Sequence, residues 1–192
     1  APAVIVLLLQ HVSITFASLS IVQEKRSGIM ELFRVAPISA FETRVGKYIS
    51  YLVFEIILAG VITALAVWLL HLPLLGPLWS YALAVLVLLF TCLGVGFFIS
   101  LISQTDTQAV QYSMLLLLAS IFFSGFFLDL RLMKAPITYL AWSLPATYGI
   151  RMLQDVMLRG SPLPLLVFAG ILAIGIALFL LDWLLLKRKM EV

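Results

Sequence analysis

Long apolar runs leave this chain little choice of fold. Five of them, Pro2 to Val22, Tyr48 to Leu70, Trp79 to Ile102, Tyr112 to Leu128 and Leu163 to Leu186, match a bilayer-crossing helix in length, about 20 residues with a usual range of roughly 17 to 25. Each must be helical, because a lone strand in hydrocarbon leaves its backbone groups unpaired. With 11% charged residues, there is also too little polar side chain to cover a water-soluble globule of this size. The expected fold is an all-α membrane protein with five transmembrane helices.

Basic residues then set the orientation. Lys25, Arg26, Arg34, Arg44 and Lys47 lie between Gln23 and Lys47, and Lys187, Arg188 and Lys189 close the chain. Placing both segments in the cytoplasm leaves only Arg131, Lys134, Arg151 and Arg159 outside, as the positive-inside rule requires. The basic pI thus reflects membrane topology and not a nucleic-acid partner. Tyr48, Trp79, Tyr112 and Trp183 fall near span ends, where an interfacial aromatic belt is expected. Asp182 lies near enough to the Lys187 end to be solvated or paired there, in a structural role. The chain opens on APAVIVLLLQ, without an initiator Met or a basic leader, and reads as a fragment rather than a secretory signal.

The polar stretch between the first two spans is QEKRSGIMELFRVAPISAFETRVGKY, from Gln23 to Tyr48. Ser27 can cap a short helix whose apolar positions Ile29, Leu32, Phe33 and Ala36 repeat at helical spacing until Pro37 ends it. Ser39 and Glu42 form a capping box for a second helix that carries Arg44 and Lys47 into the next span. On pattern alone, the first helix is either a surface anchor or a contact for a partner.

This stretch resembles the segment between the second and third spans of ABC-2-type transporter permeases, the membrane subunits of ATP-binding-cassette exporters. The matching positions are Glu24, Lys25 and Arg26, Gly28, Glu31 and Leu32, Pro37, and Gly46 and Lys47; Ile29 departs from the small hydroxyl residue common after the glycine. Leu144, Pro145, Thr147 and Tyr148 resemble the family's Leu-Pro-x-Thr-Tyr region, and the order of the spans follows the family plan. The resemblance implies spans two to six of a six-span permease, with the first span and its extracytoplasmic region missing. It implies a bacterial inner-membrane, multi-pass subunit that pairs with a second permease, identical or not, to form an export path. ATP and Mg would be bound by a separate cytoplasmic ATPase, and this chain would bind no cofactor or metal of its own. Gly28, Ile29, Glu31, Leu32, Phe33, Arg34 and Pro37 would then form the ATPase-coupling surface.

Motifs for chemistry on the chain itself are absent. No G-x-x-x-x-G-K-[ST], H-E-x-x-H or G-x-S-x-G occurs, so no catalytic residue is expected. Gly94 and Gly96 in GVGF sit mid-span, where small residues let helices approach closely. Glu55 lies inside the second run, and Gln10 and His11 interrupt the first. A carboxylate at that depth is costly enough to require protein or water around it. Glu55, Gln10 and His11 are therefore candidates for the translocation path or subunit interface, with a structural role as the alternative. From Asp129 to Pro162, prolines at 136 and 145 break a run too short to span, predicting two short outer-leaflet helices. Pro145 suits the first turn of the second helix and Gly160 its C-terminal cap. Arg151, Asp155 and Arg159 then share a strip; with Leu144, Pro145, Thr147 and Tyr148, Arg151 and Asp155 are candidates for an outer gate. The phenylalanines at 122, 123, 126 and 127 suit an amphipathic drug or lipid-like substrate, or lipid itself. Two other classes fit less of the pattern: an ion-coupled secondary transporter using Glu55, and a non-transporting membrane scaffold.

Overall fold

The computed structural model describes residues 2–28, 40–69, 71–128, 130 and 134–191. All regular structure among them is helical: α1 (Pro2–Arg26), α2 (Ala40–Leu69), α3 (Leu78–Ile102), α4 (Asp106–Phe123), α5 (Ile137–Ser143), α6 (Pro145–Arg159) and α7 (Leu165–Glu191). Four of these, α1, α2, α3 and α7, are long and apolar enough to cross a membrane. The run expected at Tyr112 to Leu128 becomes α4, shifted toward the N-terminus. The Thr105 side chain accepts the Gln108 N–H and caps the helix there. At its other end, Ser124 and then Gly125, with φ +89, turn the chain away. The early start brings polar residues such as Gln108 and Gln111 into α4, which dilutes its apolar character.

The bundle is built around α1 and α3. Some 61% and 72% of their spanning windows are buried, against 17% for both α2 and α7. An apolar helix so little covered by its own chain must face lipid or another subunit. Close approach at the centre depends on the two glycines of GVGF. A Cβ on Gly96 would lie 2.5 Å from the Ala17 Cβ and 2.8 Å from the Ile14 carbonyl oxygen of α1. One on Gly94 would lie 2.9 Å from the Leu178 Cβ of α7. Neither the Ile14 backbone nor the stub of Ala17 can swing aside, so Gly96→Ala is expected to lower stability by about 1–3 kcal/mol through overpacking. Thermal melting in detergent checks this, with Gly60→Ala as the control, because nothing lies within 4 Å of a Cβ there.

Helix α4 runs antiparallel to α1 along a ladder of polar contacts. Arg26 pairs with Asp106 at 2.5 Å, the Ser113 hydroxyl donates to Ser18 Oγ at 3.1 Å, and Gln10 Nε2 donates to Ser120 Oγ at 2.7 Å. These rungs fall at 26, 18 and 10 on one helix and at 106, 113 and 120 on the other, about two turns apart on each. Such side-chain hydrogen bonds hold helices together where there is no water to drive them.

At the opposite end from Arg26 lies the short pair α5 and α6. At 1.5 Å per residue α6 is roughly 22 Å long and α5 roughly 10 Å, too short to cross. Proline at position 145 opens α6, and Gly160 closes it in the left-handed conformation, φ 63, which side-chain-bearing residues adopt with strain. The apolar face of α6, including Ile150, Leu153, Val156 and Met157, is buried against α1, α3 and α7. The link before α3 closes over it, with the Leu75 N–H donating to the Met157 carbonyl at 3.1 Å.

Three expectations change. Tyr48 is not part of an interfacial belt: it is buried, with its ring against Phe90, Phe97 and Phe179. Asp182 is not solvated but fully buried, and so is Arg44, which had been counted with the surface charges. Charges in these places require each other.

Candidate functional site

The ends of α1 and α2 flank the basic stretch, and the sequence fixes both. Helix α1 stops at Arg26, after which Gly28 takes φ +76. The Ser27 N–H returns to the Gln23 carbonyl at 2.9 Å, and its hydroxyl, expected to cap the next helix, donates to the Glu24 carbonyl at 3.2 Å. Glu42 lies in the first turn of α2, which then runs unbroken to Leu69. Ile29, Glu31, Leu32, Phe33, Arg34 and Pro37, and the helix expected from them, lie outside the described residues, as does Ser39.

Three ion pairs tie this end of the bundle together. Glu24 at the end of α1 pairs with Lys47 on α2. Arg26 reaches Asp106 at the start of α4, with Arg26 well exposed. Arg44 Nη2 lies 2.7 Å from Asp182 Oδ2 of α7, both side chains being fully buried. The Tyr48 hydroxyl donates to the same carboxylate oxygen at 3.4 Å, and the guanidinium sits 4.5 Å from the Phe97 ring centre. Nε and Nη1 of Arg44 and Oδ1 of Asp182 have no hydrogen-bond partner among the described residues. The motif residues Glu24, Arg26 and Lys47 are thus brought together as a brace, joining the exit of α1 to the entrance of α2. Arg44–Asp182 carries that brace on to α7.

Deeper in the bundle, Glu55 is 1% exposed, and neither of its carboxylate oxygens has a hydrogen-bond partner among the described residues. The Ser13 side chain of α1 and the Cys92 thiol of α3 lie near it. Gln10 is fully buried, its amide nitrogen on Ser120 and its oxygen unpartnered; His11 is half-buried with an unpartnered Nδ1. Next to Glu55 in the chain, Ile56 begins the lining of an apolar groove of about 580 Å³ between α2 and α3. Its polar feature is the Thr63 and Tyr81 hydroxyls, 2.6 Å apart. Among the described residues no hydrogen bond joins Glu55 to Gln10.

At the far end, Leu144, Pro145 and Thr147 are buried, the Thr147 hydroxyl donating to the Ala141 carbonyl to lock α6 onto α5. Tyr148 packs edge-on to Trp142, with ring centres 5.1 Å apart. The charged strip divides in two. Asp155 pairs with Arg159 at 2.5 Å, while the Arg151 guanidinium stacks 4.9 Å from the Trp142 ring centre.

Sequence reasoning missed the Arg44–Asp182–Tyr48 cluster. A signal was available: Asp182 has no basic residue three or four positions away on its own helix face, so its counter-charge had to come from elsewhere. Arg44 and Tyr48, spaced i and i+4, were a matched pair on the facing helix.

The comparisons with known proteins agree with the motif residues. The ABC-2 type transporter family matches residues 2–158. The chain is 27% identical over 193 residues to a probable multidrug ABC transporter permease, YbhS, of Escherichia coli K12, covering 99% of this chain and 51% of the relative. It is 22% identical over 146 residues to the probable multidrug ABC transporter permease YbhR of the same organism, covering 76% of this chain and 40% of the relative. It is 24% identical over 160 residues to ABC transporter G family member 20 of Dictyostelium discoideum, covering 83% of this chain and 22% of that protein. The chain therefore spans about half the length, or less, of these relatives. No solved structure matches it. An all-helical membrane bundle, the order of its motif residues and these relatives agree, and the chain belongs to the ABC-2 type transporter family as a membrane-spanning permease.

Proposed function

We propose that this chain forms the translocation part of an ATP-driven exporter of amphipathic small molecules, working with a cytoplasmic ATPase and a second permease subunit in a bacterial inner membrane. The observation that carries this reading is the braced end of the bundle. Glu24–Lys47, Arg26–Asp106 and Arg44–Asp182 hold the exits of the 29–39 segment to α1, α2, α4 and α7 at once. A push on that segment is therefore delivered to the whole bundle. The continuous α2 carries it to the other face. In this reading α4 is the fifth crossing, because its ladder with α1 runs from the braced end to Gln10, and at roughly 27 Å it nearly matches the hydrocarbon layer. The sparsely covered faces of α2 and α7 meet lipid or the second permease, and the groove beside Thr63 and Tyr81 suits an apolar body with one polar group. The relatives' description as multidrug permeases supports a substrate of this class.

The unpartnered Glu55 supports a second reading, ion-coupled transport. Reconstitution of the full-length permease with its ATPase in proteoliposomes loaded with an amphipathic fluorescent dye separates the two. Dye movement driven by ATP, and not by an imposed pH gradient alone, is the expected result; the reverse overturns the exporter. In the same assay Glu55→Gln is expected to reduce ATP-driven transport several-fold, while Glu55→Leu still inserts, since it removes a costly intramembrane charge. Full transport by both variants would make Glu55 purely structural.

A further inference from the structure

The far end of the bundle holds a cavity that sets charged side chains beside aromatic ones. It encloses about 760 Å³ between the turn after α4, the hydrophilic face of α6 and the start of α7. On one side stand Arg151, Gln154, Asp155 and Arg159, and on the other Phe126 and Phe127. Ser124, also lining it, is fully buried and its hydroxyl has no hydrogen-bond partner among the described residues.

The two arginines are in different states. Arg159 is committed to Asp155 at 2.5 Å, so this pair adds no net charge. Arg151 has no carboxylate partner among the described residues, and its guanidinium carbon lies over the Trp142 ring, 4.9 Å from its centre. A cation–π contact does not use a guanidinium's N–H donors as a carboxylate would, and an anion could take them in bidentate fashion. A lone cationic fork, an amide and an unused hydroxyl beside two half-exposed to exposed phenylalanines (Phe126 41%, Phe127 70%) match an anion attached to an apolar chain. Water-filled solvation alone accounts for the polar wall but not for aromatic residues facing it.

We infer that this cavity binds the phosphate headgroup of a membrane phospholipid, with Arg151 as the anion contact, Gln154 and Ser124 as supporting donors, and an acyl chain along Phe126 and Phe127. Basic pockets between membrane helices recognise headgroups in this way. The site depends on the cavity alone and not on the exporter reading, and its test is a binding measurement that needs neither ATPase nor transport.

The experiment uses the full-length permease in a neutral detergent with fluorescent phosphatidylglycerol as probe, followed by anisotropy. Arg151→Gln is expected to weaken binding roughly tenfold, the effect of one lost charge-assisted contact. Asp155→Asn is expected to tighten it about threefold or more, because it removes the cavity's negative charge and frees Arg159. A gain of affinity cannot come from misfolding, so the second variant protects the test. A diacylglycerol with the same fluorophore and no phosphate should bind at least about tenfold more weakly than phosphatidylglycerol. Inorganic phosphate at equal concentration should fail to displace the lipid. Equal binding of the phosphate-free lipid, efficient displacement by inorganic phosphate, or unchanged binding in both variants would overturn the assignment.

Discussion

Replacing Arg44 by methionine is expected to destabilise the folded permease by about 3–5 kcal/mol, and replacing Asp182 by leucine to cost a similar amount. Each single change strands a fully buried charge whose counter-ion was 2.7 Å away. Tyr48 offers Asp182 one long hydrogen bond, and Arg44 lies over the rings of Phe97 and Tyr48. The double variant Arg44→Met/Asp182→Leu removes both charges and fills the space with apolar side chains of similar size, so it should recover most of the loss. The melting temperature of the full-length protein in detergent reads this out. At roughly 2–4 °C per kcal/mol for a chain of this size, each single variant should fall by on the order of 10 °C. If the double variant is no more stable than the worse single one, the two residues are not coupled and the brace to α7 is not held by charge.

The fold was largely legible because membrane spanning depends on features a sequence displays locally. Four of the apolar runs became helices at nearly the expected places, since run length and the lack of charge decide helix formation in lipid. The glycines of GVGF announced close packing, and Gly94 and Gly96 do face α7 and α1. Pro145 and Gly160 marked both ends of α6 through backbone preferences that need no tertiary information. What was not legible depends on register between distant helices. Arg44 looked like one of several surface cations because its burial is decided by where α7 lies. Tyr48 looked interfacial for the same reason, although its ring completes an aromatic cluster from three helices. The helical spacing of Arg151, Asp155 and Arg159 could be read from the sequence, but that Asp155 pairs with Arg159 while Arg151 lies over Trp142 depends on a separate helix.

The largest functional effect is expected from Phe33→Asp and Leu32→Asp. Neither residue is among those the structure describes, and the expected effect follows from the sequence pattern and from what flanks it. In the proposed exporter, ATP-driven work reaches the spans mechanically, through a surface outside the membrane. The segment between Gly28 and Ala40 connects the first two apolar runs, and the helices on either side are tied to each other through Glu24–Lys47. Apolar residues at helical spacing in such a segment give affinity by entering a groove on a partner, while charges such as Glu31 and Arg34 orient the contact. An aromatic anchor of that kind commonly contributes 2 kcal/mol or more to an interface, so introducing a carboxylate in its place should weaken ATPase association by on the order of 30-fold or more. Membrane insertion should stay unchanged, because positions 32 and 33 lie outside the apolar runs. Affinity co-purification of the ATPase with the full-length permease, and ATP-driven dye transport by the reconstituted pair, measure the two consequences separately. Wild-type co-purification with undiminished transport in both variants would move the coupling surface elsewhere. Normal co-purification with lost transport would leave the helix as the lever and transfer the binding contacts to its charged rim.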